Sequence, residues 1–99
     1  MYVQVAHYRL GRGSVEELAG RAIEGPVKVM REVPGFIDYY AFDVGDGVVA
    51  SVSVFEDRIG VEEAERRLAD WIEQTISDFE ISPGDVSEGQ VIASTRSAV

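Results

Sequence analysis

Residues 32–56 read EVPGFIDYYAFDVGDGVVASVSVFE, and the fold follows from how this stretch divides. Pro34-Gly35 is a breaker pair, after which residues 36–44 read as a strand. The Asp-Gly within DVGDG, residues 43–47, suits a tight hairpin turn. The return strand VVASVSVFE alternates Val48, Ala50, Val52 and Val54 against Val49, Ser51, Ser53 and Phe55. Phe36, Tyr39, Tyr40 and Phe42 crowd the outgoing strand, and successive side chains on a strand point to opposite faces. Tyr39 and Tyr40 therefore face opposite ways, and rings stand on both sides of the hairpin.

Upstream, Tyr2, Gln4, Ala6, Tyr8 and Leu10 alternate loosely with Val3, Val5, His7 and Arg9, which predicts a strand over residues 2–10. GRGS breaks it, and Ser14 with Glu17 makes a capping box for a helix beginning at Val15. Val15, Leu18, Ala19, Ala22, Ile23, Val27, Met30 and Val33 recur at spacings of three and four, so that helix carries one broad apolar stripe. Gly25-Pro26 interrupts the stripe and predicts a kink or two helical pieces. Downstream, Ala64, Leu68, Trp71, Ile72, Ile76 and Phe79 predict a second helix from about Val61 to Phe79. Glu62 with Arg66 and Glu63 with Arg67 are i,i+4 pairs on its outer side, each contributing about 0.3 kcal/mol. SPGD, residues 82–85, reads as an interruption, and GQVIAST, residues 89–95, as the last strand.

The order is strand, helix, strand, strand, helix, strand. It predicts an α+β, ferredoxin-like βαββαβ domain over residues 1–99, with a four-stranded antiparallel sheet and both helices on one face. Two helices cover one face and leave the other bare. Strands apolar on both sides would then expose a larger patch than monomers tolerate, so the sheets are expected to pair in a homodimer.

Eighteen Asp and Glu oppose nine Lys and Arg, of which only Lys28 is lysine, and the net charge is −9. Nucleic acid and anionic membrane surfaces are polyanions that repel such a chain, so neither is an expected partner. An acidic, lysine-poor surface keeps a protein soluble and also suits a high-salt interior. In the second case stability rises between low salt and molar KCl, and a flat response overturns it. The start MYVQVAHYRL lacks the basic opening and long apolar centre of a signal peptide, and the chain has no cysteine, so a cytoplasmic location is expected.

REVPGFIDYYAFD, GDGVVASVSVFED and AERRLADWIE together resemble the dimeric α/β-barrel superfamily, in particular its antibiotic-biosynthesis-monooxygenase-like domains. The resemblance spans roughly the whole chain and implies homodimers with a ligand pocket between helices and sheet in each subunit. Some members are cofactor-independent monooxygenases acting on polycyclic aromatic phenols, and others degrade haem. Trp71 matches the second-helix Trp of the haem degraders. Their histidine about three turns later has no counterpart among Thr75, Asp78, Phe79 and Ile81, and the chain lacks asparagine. Bound haem is therefore not expected, nor is any other cofactor.

His7, Trp71, Tyr39 and Tyr40 are the leading candidates for a site. His7 is the only histidine, and its imidazole suits removal of a proton from a phenolic ligand or a structural hydrogen bond. A one-residue slip of register would move it from one face of the sheet to the other. Trp71 suits stacking on an aromatic ligand or a place in the core. Tyr8, Tyr39 and Tyr40 offer hydroxyls, but at most one of Tyr39 and Tyr40 lines a pocket and the other belongs to the dimer barrel or its rim. Arg9, Arg12 and Arg31 suit an anionic group or pairing with surplus carboxylates.

Other signals are weak. GRGSVE has two of the three glycines of a dinucleotide loop. One His without Cys does not make a transition-metal site, and DVGDG lacks the ligand ladder of a calcium loop. Ser14, Ser51 and Ser53 have no basic partner nearby in sequence. Two readings result: a cofactor-independent monooxygenase-like homodimer binding a small aromatic or apolar ligand, or a non-enzymatic dimeric binding or stress-response module with the same fold.

Overall fold

A computed structural model describes residues 1–22 and 24–96. Ile23, counted above in the apolar stripe, lies outside the described residues. The elements are β1 (Tyr2–Arg9), α1 (Val15–Ala22), α2 (Glu24–Arg31), β2 (Phe36–Gly45), β3 (Val48–Phe55), α3 (Arg58–Thr75), a 3-10 turn (Ser77–Phe79) and β4 (Ser82–Gln90). The strands form one antiparallel sheet in the order β2-β3-β1-β4, the ferredoxin-like topology expected. Among the described residues no helix is long and apolar enough to cross a membrane.

The hairpin forms where Asp-Gly predicts it. Asp46 and Gly47 both adopt positive φ, 55° and 75°, as a two-residue turn between twisted strands requires. The first predicted helix is two pieces. Pro26 falls in the opening turn of α2, where its missing N–H costs nothing. At the start of α1 the Glu17 N–H donates to Ser14 Oγ at 3.1 Å. The second half of the expected box differs, since the Glu17 carboxylate accepts from the Ser14 hydroxyl instead.

The second predicted helix is displaced toward the N-terminus. Asp57 caps α3 by accepting the Gly60 N–H at 3.2 Å, which starts the helix at Arg58, three residues before the expected Val61. A Cβ at Gly60 would lie 2.8 Å from the Phe55 ring, so the glycine lets α3 press onto β3. α3 ends at Thr75, and the 3-10 turn carries Phe79 onward into the core. Of the two predicted ion pairs, Glu63–Arg67 forms at 3.0 Å. Glu62 instead pairs with Arg58, one turn earlier. Asp57→Ala is expected to cost about 1 kcal/mol and to lower the melting temperature by about 5 °C in a thermal scan.

The last strand is the main correction. β4 runs from Ser82 to Gln90, so SPGD is part of it and the stretch after Gln90 is not. A strand extends as far as its partner does. β1 offers pairing from Arg9, opposite Ser82, to Tyr2, opposite Gln90, and one further bond runs from the Val91 N–H to the Met1 carbonyl. Beyond that, Ile92 is 94% exposed despite its strand propensity. Pro83 is tolerated because β4 lies at the sheet's edge, and the ladder shifts register between Ala6 and Tyr8.

Met30, Val33, Phe55, Val61, Ala64 and Leu68 form the core between α2, α3 and the sheet, with Phe36 edge-on to Phe55 at 5.8 Å. Gln4, Ala6 and Tyr8 share the helix side of β1 with Tyr2. Val3 and Val5 of β1, Val52 and Val54 of β3, and Tyr40 and Phe42 of β2 fall on the other side, which no helix among the described residues covers. Tyr40 and Phe42 there are 60% and 51% exposed.

Candidate functional site between helices and sheet

A row of small residues crosses the sheet beneath the helices, because Ala6 pairs with Ser51 and Ser51 with Ala41. Over its Ser51 and Ala41 end the row leaves room that the helices do not fill, and a cavity of about 340 Å³ stands there. Tyr8 enters from one flank of the row and Tyr39 from the other. Leu68, Trp71 and Ile72 form the α3 wall, with Ile76 just past its end, Val15 and Leu18 the α1 wall, and Pro26 with Val27 the α2 wall.

Trp71 owes its position to Gly25. A Cβ on Gly25 would lie 2.0 Å from Trp71 Cζ2, so the indole rests directly on the backbone at the start of α2. α1 is held at its end by Arg21, which pairs with Asp78 and lies 5.3 Å over the Phe79 ring. The glycine and the arginine thus set the two helical walls around the indole.

The pair of tyrosines divides as the alternation requires. Tyr39 lines the cavity, whereas Tyr40 stands on the uncovered face. Burial, with a smaller contribution from Tyr8 nearby, pushes the Tyr39 phenol up to about 12. Burial also raises Tyr8, and the Glu65 charge adds to it. Both phenols are therefore hydrogen-bond donors at neutral pH, and neither hydroxyl bonds to another described residue. Tyr39 binds its proton more tightly folded than unfolded. Its contribution to stability is complete below pH 10, the ordinary phenol value, and is lost as pH rises through about 12. In an ultraviolet titration Tyr39→Phe is expected to remove a phenolate step near pH 12.

His7 is not in this cavity. β1 places it opposite Ala50, on the face with Val3 and Val5, and its Nδ1 is buried without a partner among the described residues. It does border a second cavity, of about 490 Å³, where the β1–β4 ladder shifts. Of the arginines, Arg12 pairs with Glu80 at 3.0 Å, and neither it nor Arg9 nor Arg31 lines the first cavity. Among the described residues no cluster of three or more His, Asp or Glu is arranged to hold a metal.

Two lining residues escaped the sequence reading. Asp43 read only as a turn residue, and its Oδ1 does accept the Gly45 N–H at 2.9 Å, yet it is also the carboxylate of the cavity lining. Ser51 was weighed only as a nucleophile, and it is instead the floor of the cavity. An inward-facing small polar residue between apolar neighbours was the signal available for it.

No protein-family model matches the sequence, and a comparison with curated proteins finds no match. Solved structures do match. A protein of unknown function from Nitrosomonas europaea superposes with a TM-score of 0.73 at 13% identity, covering 99% of this chain and 95% of that one. HapK from Hahella chejuensis gives 0.72 at 12% identity over 100% of both chains. SnoaB, a cofactor-independent oxygenase from Streptomyces nogalater, gives 0.70 at 11% identity over 97% of each. A dimeric ferredoxin-like protein from an uncultured marine organism gives 0.68 at 10% identity, covering 94% of this chain and 95% of that one. The chain therefore has the ferredoxin-like fold that the resemblance to the monooxygenase-like domains implies, in the form shared by an oxygenase and a dimeric protein.

Proposed function

We propose that residues 1–99 form one cytoplasmic domain that pairs as a homodimer through its uncovered sheet face and binds a small, flat, largely apolar aromatic ligand in the helix–sheet cavity. There it oxidises the ligand with dioxygen and no bound cofactor. The observation that carries this reading is the cavity itself: apolar walls, an indole for stacking, and two phenol donors for a ligand oxygen. SnoaB, of the same fold, is a cofactor-independent oxygenase, which agrees with it.

With 1-naphthol as probe the reaction balances without a reductant. Naphthol and dioxygen give naphthoquinone and water, one oxygen atom entering the ring and the other leaving with two hydrogens from the substrate. Phenol donors favour an electron-rich ligand anion by holding its charge. Asp43, the one carboxylate of the lining, is engaged by a backbone N–H, and this favours the second reading, a dimeric binding or stress-response module that catalyses nothing.

One experiment separates the readings. Trp71 is the only tryptophan, so its fluorescence reports occupancy of the cavity directly. Quenching by 1-naphthol together with oxygen uptake and naphthoquinone formation is the enzyme's result. Quenching without oxygen uptake leaves the binding module, and no quenching overturns both.

A further inference from the structure

The two cavities share a wall. Tyr8, Ile72 and Ile81 line both, with the apolar chamber on one side and a chamber bordered by Glu65, Glu73 and Glu80 on the other. Ile72 and Ile81 are hydrocarbon, so the phenol of Tyr8 is the polar group in the partition. Ligand deprotonation needs an acceptor, and the one carboxylate lining the first chamber, Asp43, is already engaged by the Gly45 N–H. The chamber across the partition offers acceptors.

We propose that Tyr8 is a proton relay through this wall, taking the proton of a ligand hydroxyl onto its oxygen while its own O–H proton passes, by way of water in the second cavity that both residues line, to the Glu65 carboxylate. The ligand O–H and the Tyr8 O–H break, and new O–H bonds form on Tyr8 and Glu65. The ligand is left as an anion, Glu65 becomes neutral and Tyr8 is unchanged. This rests on the ligand-binding reading above and adds to it the residues that remove the proton.

Several features single out Glu65. It lies on α3 facing β1, and its Oε2 accepts from Gln4 Nε2 at 3.4 Å. Gln4 is 7% exposed and also donates to Glu88, at 3.1 Å, so a buried amide steadies the carboxylates on this side. The Glu65 charge also acts on the Tyr8 phenol, in the direction expected of a nearby anion. The other ionisable groups facing the partition are Glu73 from α3, Glu80 before β4 and His7 from β1 in the second cavity, with Asp43 and Tyr39 from β2 in the first. A half-buried hydroxyl between a ligand and a chamber lined by carboxylates moves a proton without charging itself, which suits this partition.

The test is an emission spectrum, independent of turnover. Excited 2-naphthol is a strong acid and emits as naphtholate only where an acceptor is within reach. Bound to the wild-type protein, with Trp71 quenching confirming occupancy, it is expected to emit as naphtholate. Glu65→Gln is expected to reduce the naphtholate fraction about tenfold or more while Trp71 quenching persists, and Tyr8→Phe is expected to reduce the naphtholate fraction of the bound probe to the same extent while also weakening its binding. Naphtholate emission unchanged in Glu65→Gln overturns the relay, as does its loss in Asp43→Asn, which would place the acceptor in the first cavity. Glu65 is exposed on α3, so its variant keeps the test open if Tyr8→Phe fails to fold. Absence of quenching in the wild type sinks the ligand reading and the relay together, whereas quenching with unchanged emission in the variants sinks the relay alone.

Discussion

Gly25→Ala is expected to lower the melting temperature by about 10 °C and to displace the Trp71 indole from the cavity wall. The added methyl carbon would lie 2.0, 2.6 and 2.8 Å from three carbons of the indole, all well inside contact distance. Overpacking of this kind costs about 1–3 kcal/mol, because neither a helix backbone nor a ring between two helices yields easily. Alanine regains up to about 1 kcal/mol of helix propensity, and less than that in a first turn. A net loss of about 2 kcal/mol is a large part of what a domain of this size has to spare. The same change moves the ligand wall, so 1-naphthol should quench Trp71 more weakly. Trp71→Phe in the Gly25→Ala background provides the control. A smaller ring leaves space for the methyl group, and the double variant should be more stable than the sum of the single losses by about 1 kcal/mol. Strict additivity would mean that the two residues do not press on each other.

The fold was legible because its signals were local. Asp46-Gly47, Pro34-Gly35 and the alternation of β3 each specify a short element, and the order of elements then limits the topology. What was not legible depends on pairing. Phe36 lies opposite Phe55, but Asp38 lies opposite Val54, so Ile37 is an extra residue in β2. Without that bulge the side of Phe36 would continue through Asp38, Tyr40 and Phe42. With it, Tyr39, Ala41 and Asp43 turn toward the helices. Nothing in Phe36-Ile37-Asp38 announces a bulge, so the sequence leaves open which tyrosine lines the cavity. β4 shows the same dependence on a partner: a Pro-Gly pair became strand because β1 lay beside it. Of the site, Trp71 and the tyrosines were visible as residue types. The cavity was not, since it comes from Ser51 and Ala41 meeting across the hairpin with Tyr8 of the distant strand β1 and Tyr39 of β2 at the flanks.

The bulge also decides what the uncovered face presents. By sending Tyr39 inward it sends Tyr40 and Phe42 outward, beside the valines of β3. Val52 is central to that face, flanked by Val5 of β1 and Tyr40 of β2. If two copies pair sheet to sheet, Val52→Asp places an unpaired carboxylate from each copy in an apolar interface. Isolating buried charge in this way costs at least about 4 kcal/mol for the pair, which weakens the dimer about a thousandfold. The monomer's own fold should lose only about 1 kcal/mol, because in the separated chain the position faces water and the penalty is strand propensity. Light scattering is therefore expected to give the mass of two chains for the wild type and of one chain for Val52→Asp, with circular dichroism unchanged. Val52→Thr, similar in shape and uncharged, should remain a dimer. A wild-type protein that is monomeric at micromolar concentration would show that water alone covers this face, and the homodimer would be wrong.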